Sequence, residues 1–328
     1  MFDLGKGFRK ILYILYISRM SKYESKFMDK VKAVLADKGL ATGTINMYMT
    51  KLVKMNGNKP FASLSFLKEF KKMKEFLENM ENHNTRKSYI TAIVSVLNNI
   101  GTNKEYKQIN IMYKSLLEGE KIKIMALDPH EKTEAQKENW IEWTDVMKLQ
   151  KEMETKVKDY TKEDMTTPSK KKAMFDFLLL SLYALTPPRR NLDYLLLKLD
   201  TDDKKEDEDV NYYNQRQKTF TFNVFKTKWK NGKEIIPCPL PLCRVLDKYI
   251  SLMDIEDNEF ILFRGDATRQ GAMITKALNR IFKKKVGASM LRHSYDTHKY
   301  GAVLKEMKQD AMMMAHSVEE QKNYVKYD

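Results

Sequence analysis

The side chains in this sequence that could act together on a phosphate ester lie in four short stretches of its second half. Pro187-Pro-Arg-Arg-Asn-Leu-Asp-Tyr194 carries Arg189 and Arg190 where an apolar run stops, with Asp193 three residues after the second arginine. A guanidinium is a planar fork that grips two phosphate oxygens at once, and a nearby carboxylate can fix its orientation. Phe225-Lys-Thr-Lys-Trp-Lys-Asn-Gly-Lys233 gathers Lys226, Lys228 and Lys230 near a turn. A lysine there can touch phosphate or give a proton to a departing oxygen. Ser289-Met-Leu-Arg-His-Ser-Tyr-Asp296 supplies Ser289, Arg292 and His293. Ala315-His-Ser-Val-Glu-Glu-Gln-Lys-Asn-Tyr324 sets His316 eight residues before Tyr324, across a turn and a new helix, a spacing that could bring both rings to one site. Each stretch taken alone also reads as ordinary surface: paired arginines at a helix end are commonly solvated, and the chain has 17 tyrosines.

These groups need elements to hold them. From 21 to 119 the apolar residues recur at helical spacing: Phe27, Val31, Val34 and Leu35; Ile45, Tyr48, Leu52 and Val53 after Thr44, a candidate N-cap; Phe66, Phe70, Met73 and Leu77; Tyr89, Ile93, Val96 and Leu97; Ile109, Tyr113, Leu116 and Leu117. Such stripes are core, and no chemistry is assigned to them. Residues 120–138 lack periodicity, carry Pro129 and read as a linker. Beyond it, Trp140, Trp143 and Val146 open a helix. Phe175, Leu178, Leu179, Leu182 and Tyr183 mark a buried one, which Pro187-Pro188 must end. Leu195–Leu199 is strand-like, and the acidic run Asp200–Asp209 reads as an exposed loop that would avoid phosphate. Thr219–Phe225 alternates with period two, Asn231-Gly232 signals a hairpin turn and Glu234–Ile236 returns; helices resume near 239.

Bulk properties agree with a polyanionic partner. The 328 residues suit two domains, and 42% hydrophobic and 11% aromatic content suffices for packed cores. Fifty-nine Lys and Arg against 44 Asp and Glu leave a net charge of +15, which favours nucleic acid through counterion release. Cys238 and Cys243 have no zinc-type spacing and read as two reduced thiols, which fits a reducing compartment, cytoplasm or nucleus, and not secretion. The apolar run Ile11–Ile17 is too short to span a bilayer and lacks a following cleavage signal, so residues 1–20 are expected to be an N-terminal extension, with Met20 a candidate natural start. No membrane association is expected.

The order Arg-x-x-Asp, lysine turn, Leu291-Arg-His, His316-Ser and a terminal tyrosine resembles the catalytic domain of the tyrosine recombinases, the phage-type integrases. Pro187-Pro-Arg-Arg-Asn, Asn139-Trp-Ile and Ala315-His-Ser-Val are similar to integrases of large DNA viruses and mobile elements. The resemblance covers roughly residues 21–328. It implies a mainly α chain: an N-terminal helical core-binding (SAM-like) domain at 21–119, the linker at 120–138, and at 139–328 an α-rich catalytic domain with a small antiparallel β-sheet. It also implies roles. Arg190 and Arg292 would stabilise the charge on the phosphate, with Asp193 at the acidic position and Arg189 as the alternate for the first arginine. Lys226, or its rivals Lys228 and Lys230, would protonate the departing 5′ oxygen. His316 would hydrogen-bond the scissile phosphate. Tyr324, with Tyr327 as alternate, would form a 3′-phosphotyrosine. The covalent intermediate keeps the bond energy, so neither ATP nor metal is implied, and no cofactor. Family members usually carry histidine three residues before the second arginine; Ser289 stands there instead, and serine is a poor base at neutral pH.

The implied function is site-specific recombination or integration, with double-stranded DNA bearing specific sites as partner. The chain would act as a homo-tetramer on DNA and be monomer or dimer when free. Two other functions share these residues. A type IB topoisomerase would use the same set as a monomer, and relaxation of supercoils without strand exchange would reveal it. A DNA-binding module that has lost activity is the reading Ser289 favours and the intact Arg, Lys, Arg, His, Tyr order opposes.

Overall fold

The computed structural model describes residues 26–101, 103–127, 130–203, 207–264 and 271–326; the expected extension at 1–20 and the alternate nucleophile Tyr327 lie outside them. The chain divides into two compact units, Met1–Glu131 and Lys132–Asp328, each with its own hydrophobic core.

The first unit is helical: α1 (26–37), α2 (Thr42–Met55), α3 (Phe70–Glu78), α4 (His83–Ile100) and α5 (Lys104–Met125). The stripes read from the sequence supply its core, with Val31, Leu35, Leu52, Leu77, Ile93 and Tyr113 buried. Caps set the starts of two helices: Asn82 accepts from the Thr85 N–H and Asn103 from the Tyr106 N–H. The expected Thr44 cap is not used; α2 begins two residues earlier, after Ala41, which offers no side-chain bond.

The span read as linker is in part helical. α5 runs to Met125, and α6 (Glu134–Asn139) opens on a capping box between Thr133 and Gln136. The physical reason lies in Glu120, a buried carboxylate inside α5. It takes Nδ1 of His83 at 2.7 Å, Nη1 of Arg86 at 3.0 Å and Nζ of Lys123 at 3.1 Å. Arg86 also donates to the carbonyls of Leu77 and Met80 at the end of α3. Burial alone would raise the Glu120 pKa, but the bonds from His83, Arg86 and Lys123 outweigh it and hold the carboxyl at about 2. A polar anchor leaves no apolar stripe, so periodicity could not find this turn of helix.

The second unit is built around α8 (Pro168–Ala184), whose Phe177, Leu178, Leu179, Leu182 and Tyr183 are buried. Pro168 starts it, and it ends ahead of Pro187-Pro188 as expected. α7 (Trp143–Val157) packs on it, and α9 (Asn191–Leu195) follows the prolines. The sheet comprises β1 (Leu197–Asp200), β2 (Asn211–Asn214), β3 (Thr219–Phe222) and β4 (Glu234–Pro237) in that spatial order. β2 pairs antiparallel with β3 and β3 with β4, whereas β1 lies parallel to β2; the sheet is therefore mixed and not purely antiparallel. The parallel pair arises because the acidic segment after Asp200 returns the chain to the same end before β2 begins. α10 (Lys228–Asn231), α11 (Leu240–Leu252), α12 (Gly271–Phe282), α13 (Ala288–Met313) and α14 (Val318–Lys322) complete the described elements. The chain is thus mainly helical with one small four-stranded sheet. No described helix is long and apolar enough to cross a membrane.

Candidate active site

The sequence-selected residues fall into two groups in space. The first gathers at one corner of the sheet. Arg190 is the N-cap of α9 and half-buried; among the described residues its side chain makes no hydrogen bond or salt bridge. Its neighbour Arg189 is fully engaged. Arg189 Nε donates to Asp193 Oδ2 at 2.8 Å, Nη2 donates to Glu234 Oε2 at 3.0 Å, and the guanidinium lies 3.8 Å from the centroid of the Phe222 ring. Asp193 thus holds Arg189 and leaves Arg190 open. Burial pushes the Asp193 carboxyl above its usual range despite that arginine, and its Oδ1 is buried without a hydrogen-bond partner among the described residues.

The lysine segment differs from the expected tight hairpin. β3 stops at Phe222, and residues 223–233 form a longer connection containing the single turn α10. Asn231 and Gly232 close that turn, with Gly232 at φ +72°, where glycine is favoured. Lys226 is exposed, and Lys228 pairs with Glu208 at 3.1 Å. Both ends of the connection are tied to the arginine helix. At its start, Asn211 is wholly buried: its Nδ2 donates to the carbonyls of Asp193 (2.8 Å) and Val224 (3.0 Å), and its Oδ1 accepts from the N–H groups of Asn223 and Val224. That saturates the amide. At its end, Glu234 joins Arg189 through Oε2 and accepts from Asn231 Nδ2 at 3.3 Å through Oε1. Asn211 and Glu234 are site residues that sequence reasoning missed. Glu234 stood in a recognised strand with no sign of its partner, and Asn211 opens the short strand Asn-Tyr-Tyr-Asn, where nothing in the spacing marks its role.

α12 is bonded to the same corner, and the N-cap of α13 lies against α12. Asn191, next to Arg190, donates to the Gly271 carbonyl at 2.9 Å and to Thr275 Oγ1 at 3.0 Å. A Cβ placed on Gly287, the N-cap of α13, would stand 3.8 Å from Thr275 Cγ2. Ser289 is exposed and Arg292 half-buried; three residues apart, they share one helix face.

The second group is His316 with Tyr324. Ser317 caps α14 by accepting from the Glu320 N–H at 3.1 Å, and the chain turns back so that the two rings lie 5.7 Å apart. Tyr324 is 71% exposed. The structure does not bring this pair to Arg292. α13 continues unbroken from Ala288 to Met313, and at ~1.5 Å per residue the helix alone separates Arg292 from Met313 by about 30 Å.

An acidic trio, Asp200, Asp202 and Asp257, lies at the end of β1, and the Asp200 and Asp257 carboxylates are engaged by neighbouring N–H and hydroxyl groups. Cys238 and Cys243 are free thiols, both buried.

No protein-family model matches the chain, and no curated protein matches it. Among solved structures it is similar to one titled "Crystal structure of XerA recombinase", with 13% identity over 93% of this chain and 94% of that one, at a TM-score of 0.32.

Proposed function

We propose that the chain is a DNA strand transferase that uses Tyr324 as nucleophile, and that it serves site-specific recombination or integration of DNA. The observation that carries this reading is the approach of segments far apart in sequence: the bonds of Arg189, Asn211 and Glu234 join the Arg190 loop to the lysine connection, and Asn191 joins that loop to α12, against which the N-cap of α13 lies. A corner lined by Arg190, whose side chain makes no hydrogen bond or salt bridge among the described residues, and by an exposed lysine suits a phosphodiester. The net charge of +15 suits a duplex around it.

The chemistry runs as a displacement. The Tyr324 oxygen bonds to phosphorus as the bond from phosphorus to the 5′ oxygen breaks. A lysine of the connection, Lys226 by preference, gives its proton to that 5′ oxygen, and the exposed phenol loses its own proton to solvent. Arg190 and Arg292 neutralise the charge that builds on the phosphate, the kind of preorganised stabilisation that dominates many catalysed displacements. His316, beside the phenol, would donate to the same phosphate. The reverse steps rejoin the strand.

Two routes close the distance of about 30 Å along α13. A second copy of the chain can supply its own Tyr324, or α13 can break at Gly301, where helix propensity is weakest. The unbroken α13 and the exposed phenol favour the first, which also fits a homo-tetramer assembled on two duplexes.

The test uses a supercoiled plasmid pool with random inserts. The expected result is DNA retained on the denatured wild-type chain, with its end mapping to recurrent sites, and none retained on Tyr324→Phe. Absence of any wild-type adduct, or its persistence in Tyr324→Phe, would end this reading. Relaxation of the plasmid with no exchange between paired sites would turn it towards a topoisomerase.

A further inference from the structure

Trp229 stands at the apex of the lysine connection and is 85% exposed, between Lys228 and Lys230 in the turn α10. The other two tryptophans are accounted for within the fold. Trp143 is buried and packs edge-on against Tyr295; Trp140 donates to Glu142 at 2.8 Å and carries Lys132 over its ring. Among the described residues Trp229 has no ring contact and no hydrogen bond. A large aromatic ring left in water loses the burial that makes tryptophan worth placing, and such a ring commonly marks a contact surface.

The support beneath it argues for a fixed presentation. A connection of this length would ordinarily be mobile. Here its start is held by three bonds to the Asn211 amide, whose fourth bond goes to the Asp193 carbonyl, and its end by Glu234, itself held by Arg189 and Asn231. Gly232 at φ +72° allows the sharp exit into β4. The ring is therefore carried out from a braced base, three residues beyond Lys226 and on the connection tied to the Arg190 helix.

We propose that Trp229 binds a nucleobase, stacking its indole on a base of the DNA next to the phosphate held by Arg190; this rests on the reading of the preceding subsection. The choice of a base over an apolar protein partner comes from charge. Lys226, Lys228, Lys230 and Lys233 surround the indole in sequence, and they would draw the ring onto a polyanion. A flat π face flanked by cations is the arrangement that holds bases independently of their sequence. An unpaired or loosened base offers its face more readily than one inside an intact stack, so the ring would prefer DNA opened at that point.

The experiment compares full-length wild type, Trp229→Ala and Trp229→Phe on a short duplex of arbitrary sequence and on the same duplex with one unpaired base, over a range of salt. Wild type should bind the unpaired-base duplex more tightly and show quenched tryptophan emission on binding. Trp229→Ala should lose ~10-fold in affinity or more for that duplex and lose the quenching, while the slope of log affinity against log salt stays unchanged, because no cation is removed. Trp229→Phe should recover part of the affinity. Equal binding by Trp229→Ala and wild type would overturn the proposal, as would a loss accompanied by a shallower salt slope, which would mean the turn and its lysines had been displaced. If Trp229→Ala melts at a lower temperature, Trp229→Phe and the emission of the wild type decide. A wild type that binds neither duplex removes the DNA reading itself, and this inference with it.

Discussion

The His316 and Tyr324 rings lie 5.7 Å apart at an interplanar angle of 60°, joined through a five-residue helix capped by Ser317. The pair is local and self-contained, and it follows the uninterrupted α13, along which Met313 lies about 30 Å from Arg292. On the proposed mechanism, the pair would meet a phosphate held by Arg292 through another copy or a broken helix.

Mixing two inactive variants decides between those routes. Arg292→Ala keeps the phenol, and Tyr324→Phe keeps the arginine. If a second copy supplies the tyrosine, the mixture regains the covalent DNA adduct, and the adduct is on the Arg292→Ala chain. No recovery in the mixture, together with slower cleavage by Gly301→Ala, which strengthens the helix by about 1 kcal/mol, would assign the closure to a break in α13.

Arg189 and Arg190 are expected to separate cleanly. Arg189→Ala strands the buried Asp193 and releases Glu234, and should destabilise the second unit by roughly 3–5 kcal/mol. Arg190→Ala removes a guanidinium that makes no hydrogen bond or salt bridge among the described residues, and should leave the stability within about 0.5 kcal/mol of wild type. Its cleavage rate should fall ~100-fold or more. Urea denaturation beside single-turnover cleavage measures both; the opposite pattern would exchange the two assignments.

Glu234 gives a graded test of the brace under the lysines. Glu234→Ala should slow cleavage of an ordinary site but spare a substrate whose 5′ bridging oxygen is replaced by sulfur, since a thiolate departs without a proton. An equal loss on both substrates would show that Glu234 does not act through the lysine.

In the first unit the anchor is Glu120. Its folded pKa of about 2 lies below the ordinary 4.5, so the stability it contributes is fully present above pH 4.5 and is lost as the pH falls towards 2. Glu120→Ala leaves the buried Arg86 unpaired and should cost roughly 3–5 kcal/mol at neutral pH. It should also flatten the acid limb of the stability profile between pH 4.5 and 2. An unchanged acid limb would mean that other carboxylates set it.

The sequence alone determined the helical first unit, the buried α8 and its end at Pro187-Pro188, because apolar spacing and proline act locally. It determined the closeness of His316 and Tyr324 for the same reason: eight residues with a serine cap between them leave few alternatives. What it could not decide was which arginine Asp193 holds. Arg189 and Arg190 are equivalent in a string of letters, and only Glu234, some 45 residues away, and the Phe222 ring break the tie. Nor could it decide the parallel β1–β2 pair, the helical continuation through Glu120, or how far apart α13 holds the two halves of the chemistry. Each of those depends on partners brought in by long-range packing, or on whether a helix stays whole through a glycine, and neither is written in local spacing.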